Sequence, residues 1–170
     1  MTACTECDFD YVLDLAPKTP TLIRDLADSY TAHLLTTDAP ALRLRPAEHV
    51  WAPLEYACHV RDVLFVQRER LLAARRTDTP TAEPMGRDER VDHDGYADQN
   101  PADVARQLKD AAALFAGALD RLPPSDWHRT LIYTYPEPAE RSLRWLALHT
   151  VHELHHHLAD IRGQLERPHP

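Results

Sequence analysis

Apolar residues recur at helical spacing in four long stretches of the chain, and no convincing strand-like alternation competes with them. The first stretch runs from about Thr19 to Leu35. Thr19 suits an N-cap, Pro20 the first helical position, and Leu22, Ile23, Leu26, Tyr30 and Leu34 form its stripe. The second opens at Ala52-Pro53 and continues to about Arg76 through Leu54, Ala57, Cys58, Leu64 and Leu71. The third starts at Asn100-Pro101, again a cap followed by proline, and turns Val104, Leu108, Ala111, Phe115, Leu119 and Leu122 inward. The fourth begins near Ser142 and carries Leu143, Ala147, Val151, Leu154, Leu158, Ile161 and Leu165 on one face. The pattern predicts an all-α protein, a four-helix bundle. Residues 76–99, between the second and third helices, are polar and too many for a tight turn, so a long crossover connection is expected there. Thr130–Tyr135 (TLIYTY) is β-prone and bounded by prolines, which suits a small ribbon or a cover over the bundle's mouth.

The chain has 170 residues, enough for one full core. We therefore read 1–170 as a single domain, with 1–16 as an N-terminal segment bearing Cys4-x2-Cys7. That CxxC could be half a zinc site, a redox pair or a disulfide, but without a second CxxC the plainest reading is a loose segment with two thiols. Cys58, among apolar neighbours, reads as a small core residue. The formal charge of −8 opposes general nucleic-acid binding, which needs a basic face. No run reaches the roughly twenty apolar residues of a membrane span, and MTACTECDFD has no basic start or apolar signal core. A cytoplasmic protein is the expectation.

Five of the chain's eleven histidines crowd the fourth helix, in RWLALHTVHELHHHLADIRGQ (144–164), with a glutamate among them. Imidazole and carboxylate in such density are raw material for a transition-metal site. On a wheel advancing about 100° per residue from Leu154, His157 falls at about −60° and Glu153 at about −100°, at the edge of the buried stripe. His152 and His156 fall about 160° away, which gives a competing pair with the same spacing. Glu153 and His157 stand four apart and stack on one face as a two-ligand clip. A third ligand is wanted. His59, set among Tyr56, Ala57, Val60, Val63 and Leu64, is the candidate from the second helix. Asp62 and Asp160 are each one turn from a candidate ligand and could support it by hydrogen bonding, or could be solvated carboxylates. His155 and His156 read as surface residues, Tyr133 and Tyr135 as packing residues near the mouth, and Arg61, Arg87 and Arg90 as weak candidates to meet an anion.

Trp51-x7-His59-x2-Asp62, together with the histidine-rich helix ending His156-His157-Leu158-Ala159-Asp160-Ile161, resembles the DinB/YfiT-like superfamily of metalloenzymes and its mycothiol-dependent maleylpyruvate isomerase branch. The resemblance implies a four-helix bundle holding one divalent ion, zinc or nickel, through a histidine of the second helix and two residues four apart on the last. By position these are His59, Glu153 and His157; Glu rather than His at the first of the paired positions resembles the isomerase branch. It further implies a thiol-dependent transferase or isomerase, with mycothiol or a related thiol as cosubstrate and an electrophilic small molecule as the other substrate. A hydrolase using metal-activated water, or a non-catalytic metal-binding bundle, are the rival readings. The oligomeric state is open, a homodimer included.

Overall fold

The computed structural model describes residues 4–7 and 9–166, so parts of the N-terminal segment expected at 1–16 lie outside the described residues. Six helices follow in chain order: α1 (Thr19–Thr36), α2 (Ala39–Arg43), α3 (Pro53–Arg76), α4 (Arg87–His93), α5 (Pro101–Asp120) and α6 (Leu143–Leu165). The four long ones, α1, α3, α5 and α6, are the helices expected from periodicity. Asn100 caps α5 by accepting from the backbone N–H groups of Ala102 and Asp103. At the start of α3, where Ala52 has no side-chain acceptor, Glu55 reaches back to the Ala52 N–H at 2.8 Å and also takes a bidentate contact from Arg45. Ser142 caps α6 through Trp145 N–H. Thr19 differs from expectation: it lies inside α1, and its hydroxyl donates to the Ala16 carbonyl, closing the short 3-10 helix that leads in.

Each of α1 and α3 packs against both α5 and α6. Direction follows from the cross-contacts. Arg24 meets Asp120 while Asp28 meets Lys109, so α1 and α5 are antiparallel. Arg61 meets Gln107 while Arg75 meets Asp126 just beyond the end of α5, so α3 and α5 are parallel neighbours. Parallel neighbours require a return along the bundle, and residues 77–100 make it, through α4 and a buried Tyr96 whose hydroxyl donates to Asp62 at 2.6 Å. The β-prone 130–135 stretch forms the central strand, β2 (Thr130–Tyr133), of a small sheet. It pairs in parallel with β1 (Thr81–Ala82) and antiparallel with β3 (Ala139–Ser142), Thr130 opposite Ser142 and Tyr133 opposite Ala139.

Leu154, Leu158 and Ile161 of α6 and Leu54, Leu64 and Leu71 of α3 are buried, as the stripes require. Two details differ. Leu22 is exposed and Ala27 takes its place inside α1, because the stripe rotates by one position toward Ile23, Ala27, Tyr30 and Leu34. The first half of α6 is buried nearly all round, including Trp145, Leu146, Leu148 and His152, since the sheet and the N-terminal segment cover the side that faces away from the bundle axis. Tyr30 ties α1 to α6 by donating to the Leu154 carbonyl at 2.8 Å.

These placements give a stability prediction. Leu154→Ala opens a cavity at a fully enclosed position and should cost about 2–5 kcal/mol. Leu22→Ala should stay within about 0.5 kcal/mol. Urea unfolding midpoints measure both, and equal losses would contradict this burial.

Candidate metal centre

Helix periodicity delivers Glu153 and His157 to the face of α6 that meets α3, and His59 meets them from α3. His59 Nε2 lies 4.0 Å, and His157 Nε2 3.8 Å, from the same oxygen, Glu153 Oε2. The two imidazoles stand edge to face with centroids 5.2 Å apart. Donors bound to a tetrahedral zinc at about 2.0–2.1 Å would stand roughly 3.3–3.4 Å apart, so a small contraction would bring these three onto one ion. Two nitrogens and an oxygen face one another without a normal hydrogen bond between them, an arrangement that a cation relieves. The residues therefore fit a divalent ion.

Protonation suits the same purpose. Burial lowers the pKa of His59 and favours its neutral, ligating form. Burial alone would raise Glu153, but the imidazoles of His152, His59, His149 and His157 hold it well below the carboxylate range, so it is an anion. His157 Nδ1 is 3.0 Å from Asp160 Oδ2, and donating its proton there selects the tautomer whose Nε2 carries the free lone pair that a metal ion would take. The Nδ1 of His59 is buried and has no hydrogen-bond partner among the described residues. Trp51 packs against His59 at 5.2 Å and Tyr56 against His157 at 5.0 Å, walling the group from the α3 side. The side chain of Glu153 keeps 24% of its surface accessible and that of His157 16%, so the group opens to solvent on the α6 side.

Asp62 does not support His59. It accepts from Arg61, Tyr96 and Arg90 and belongs to the scaffold of the crossover. Of the arginines, Arg61 is buried in that network and Arg87 lies over the Trp51 ring. Two open clefts, of about 460 and 420 Å³, flank Asp62, and neither includes His59, Glu153 or His157. Tyr135 is exposed, whereas Tyr133 is buried against Trp145 and His149. His155 is exposed. His152 and His156 are not on an open face: they turn toward the N-terminal segment, where Phe9 and Tyr11 pack on His152 at 5.4 and 5.6 Å. Burial pulls the His152 imidazole down, but Glu153 and Cys4 outweigh it and raise its pKa. A single buried stripe implies solvent on the opposite side of α6, and here the N-terminal segment covers that side instead. The off-stripe Trp145, Leu146 and Leu148 were the available signal, since a helix apolar all round is buried all round.

His149, which the sequence left without a role, stacks on Trp145 at 4.5 Å and brings Nε2 within 3.8 Å of Glu153 Oε1. Tyr11, whose pKa burial raises, keeps its proton and donates to His149 Nδ1 at 2.9 Å. Burial pushes His149 down from 6.5 to about 4. Between those values the unfolded chain binds a proton that the folded chain refuses, so stability is full above the unfolded pKa and is lost as pH falls through the window. The melting temperature of the metal-free protein should therefore drop between about pH 6.5 and 4, and His149→Gln, which retains an acceptor for Tyr11, should drop less. Parallel declines would remove His149 as the cause.

Two solved structures share this architecture. One is YfiT from Bacillus subtilis, described as "a probable metal-dependent hydrolase with an unusual four-helix bundle topology"; it matches with a TM-score of 0.79 at 15% identity, over 89% of this chain and 86% of that one. The other is the mycothiol-dependent maleylpyruvate isomerase, with a TM-score of 0.69 at 16% identity, over 86% of this chain and 60% of that longer one. At these identities the likeness establishes the fold. A search of curated proteins finds no match. The family model of the DinB superfamily matches residues 22–161, from α1 to the last turns of α6, and the chain belongs to that superfamily.

Proposed function

We propose that this protein is a divalent-metal-dependent enzyme that acts with a low-molecular-weight thiol, as a transferase or isomerase, and that His59, Glu153 and His157 hold the ion. The observation that carries this reading is the convergence of three donors from two helices around Glu153 Oε2, within 4.0 Å. A divalent ion held there supplies Lewis acidity, which brings a coordinated thiol or water toward ionisation near neutral pH. The chain's own residues set the conditions. Two neutral imidazoles and one carboxylate contribute a single negative charge, and three protein donors leave a position open for an exogenous ligand. Asp160 orients His157, while the Trp51 and Tyr56 rings exclude water behind the group. The exposed edge of Glu153 and His157 gives a small substrate its way in. The Glu153/His157 pairing supports the thiol-dependent reading through the likeness to the isomerase. The fuller structural match to YfiT supports a second reading, hydrolysis with water as nucleophile.

The ligand assignment makes a direct prediction. His59→Ala and His157→Ala should each lose one metal equivalent per chain by mass spectrometry, and His155→Ala none. Asp160→Ala should weaken affinity about 10–100-fold by loosening the His157 ring. Full retention of metal by the His59 and His157 variants would overturn the set. For the reaction, mycothiol consumption with a panel of electrophiles should require added divalent ion and fall to background in His59→Ala. Ion-dependent turnover without any thiol would replace this reading with the hydrolase.

A further inference from the structure

The far face of α6 carries a second constellation. The donor atoms of Cys4, Cys7, His152 and His156 all lie within 4.8 Å of one another. We propose that these four residues form a structural zinc site that clamps the N-terminal segment onto α6, separate from the His59-Glu153-His157 group and beyond the function proposed above.

Three independent observations support it. The spacing is right: Cys-x2-Cys in a turn and His-x3-His one helical turn apart are the arrangements by which two short motifs close around zinc. The polar atoms are unsatisfied. His152 is buried, 9% exposed, yet among the described residues neither of its ring nitrogens makes a hydrogen bond, Glu153 Oε1 standing 3.6 Å from Nδ1, and His156 Nδ1 is likewise buried without a hydrogen bond. A native fold rarely leaves three such atoms unused within one small volume. The thiols are also held for the purpose. Cys4 N–H donates to the Phe9 carbonyl at 2.9 Å, closing the loop that carries both cysteines, and neither cysteine is in a disulfide.

The chemistry follows from the donor set. Soft sulfur with imidazole in an S2N2 set selects zinc over hard oxygen-seeking ions. Binding ionises both thiols and releases their two protons to solvent, with no change of oxidation state. Two thiolates and two neutral imidazoles cancel the charge of the ion, so the closed complex can sit in a half-buried place at little electrostatic cost. All four positions are filled by protein, which suits a staple and leaves no room for substrate. Glu153 Oε1, 3.6 Å from His152 Nδ1, is placed to orient that ring and joins the two groups through adjacent residues of α6. The staple would hold Phe9 and Tyr11 against His152 and His149, and so fix one wall of the Glu153 environment.

The test uses untagged, full-length protein loaded with zinc and washed free of excess. X-ray absorption at the zinc edge should show sulfur scatterers as well as nitrogen and oxygen, with zinc at about two equivalents per chain. Cys4→Ser/Cys7→Ser should lose the sulfur shell and one equivalent while its helical circular dichroism stays as in the parent, because both thiols lie outside the bundle. His59→Ala should lose the other equivalent and keep the sulfur shell. Cobalt loading should give the thiolate-to-metal charge-transfer absorption in the parent and in His59→Ala, and not in the double serine variant. A parent protein whose zinc has no sulfur neighbours overturns the site, as does a Cys4–Cys7 disulfide that persists under reducing, zinc-replete conditions. Because the parent's own spectrum decides, a variant that failed to fold would not rescue the proposal, and loss of sulfur-free zinc alone would count against the other site only.

Discussion

A carboxylate carried into a nest of imidazoles is the constraint on which the rest of the protein depends. Glu153 sits where burial alone would neutralise it, and His152, His59, His149 and His157 keep it ionised. An anion in such a place is costly unless it is surrounded by partners that stay put. The surrounding fold provides this. α3 and α6 are pinned side by side by Tyr56 on His157 and by Gln164 on the Trp51 carbonyl, and α1 is pinned to α6 by Tyr30. The parallel α3–α5 pair, with its return through Tyr96 and Asp62, makes α3 a fixed platform for His59.

Much of this was legible in the sequence because it depends on local rules. Proline at the first turn, an asparagine cap and a stripe of leucines placed four helices within a residue or two of their observed ends. The four-residue spacing of Glu153 and His157, with an inward His59, brought the same three residues together that the structure brings together. Other features depended on long-range packing and were not legible. Nothing near Asp62 in sequence reveals that its partner is Tyr96, so both readings its position allows, support of His59 or a solvated carboxylate, give way to the packing of the crossover. Nothing near Cys4 reveals that its loop returns to α6, some 150 positions away. His149 was passed over because its importance lies in its contact with Tyr11, a residue outside every predicted helix.

The loading of α6 on both faces is the feature that distinguishes this chain from a bundle with a single stripe. One face offers three donors and the other four. That difference separates a place for chemistry from a place for holding, since a divalent ion with a vacant position can take substrate and one enclosed by protein cannot. The two groups alternate along the helix, 152 and 156 against 153 and 157, so a shift of α6 would move both at once.

The central claim is that a divalent ion belongs between His59, Glu153 and His157, and anomalous diffraction from a zinc-loaded crystal tests it most directly. We expect a peak within about 2.0–2.2 Å of His59 Nε2, His157 Nε2 and one oxygen of Glu153. No peak in that position at full zinc loading, or a peak that draws Glu153 toward His149 and His152 and leaves His59 unligated, would contradict it.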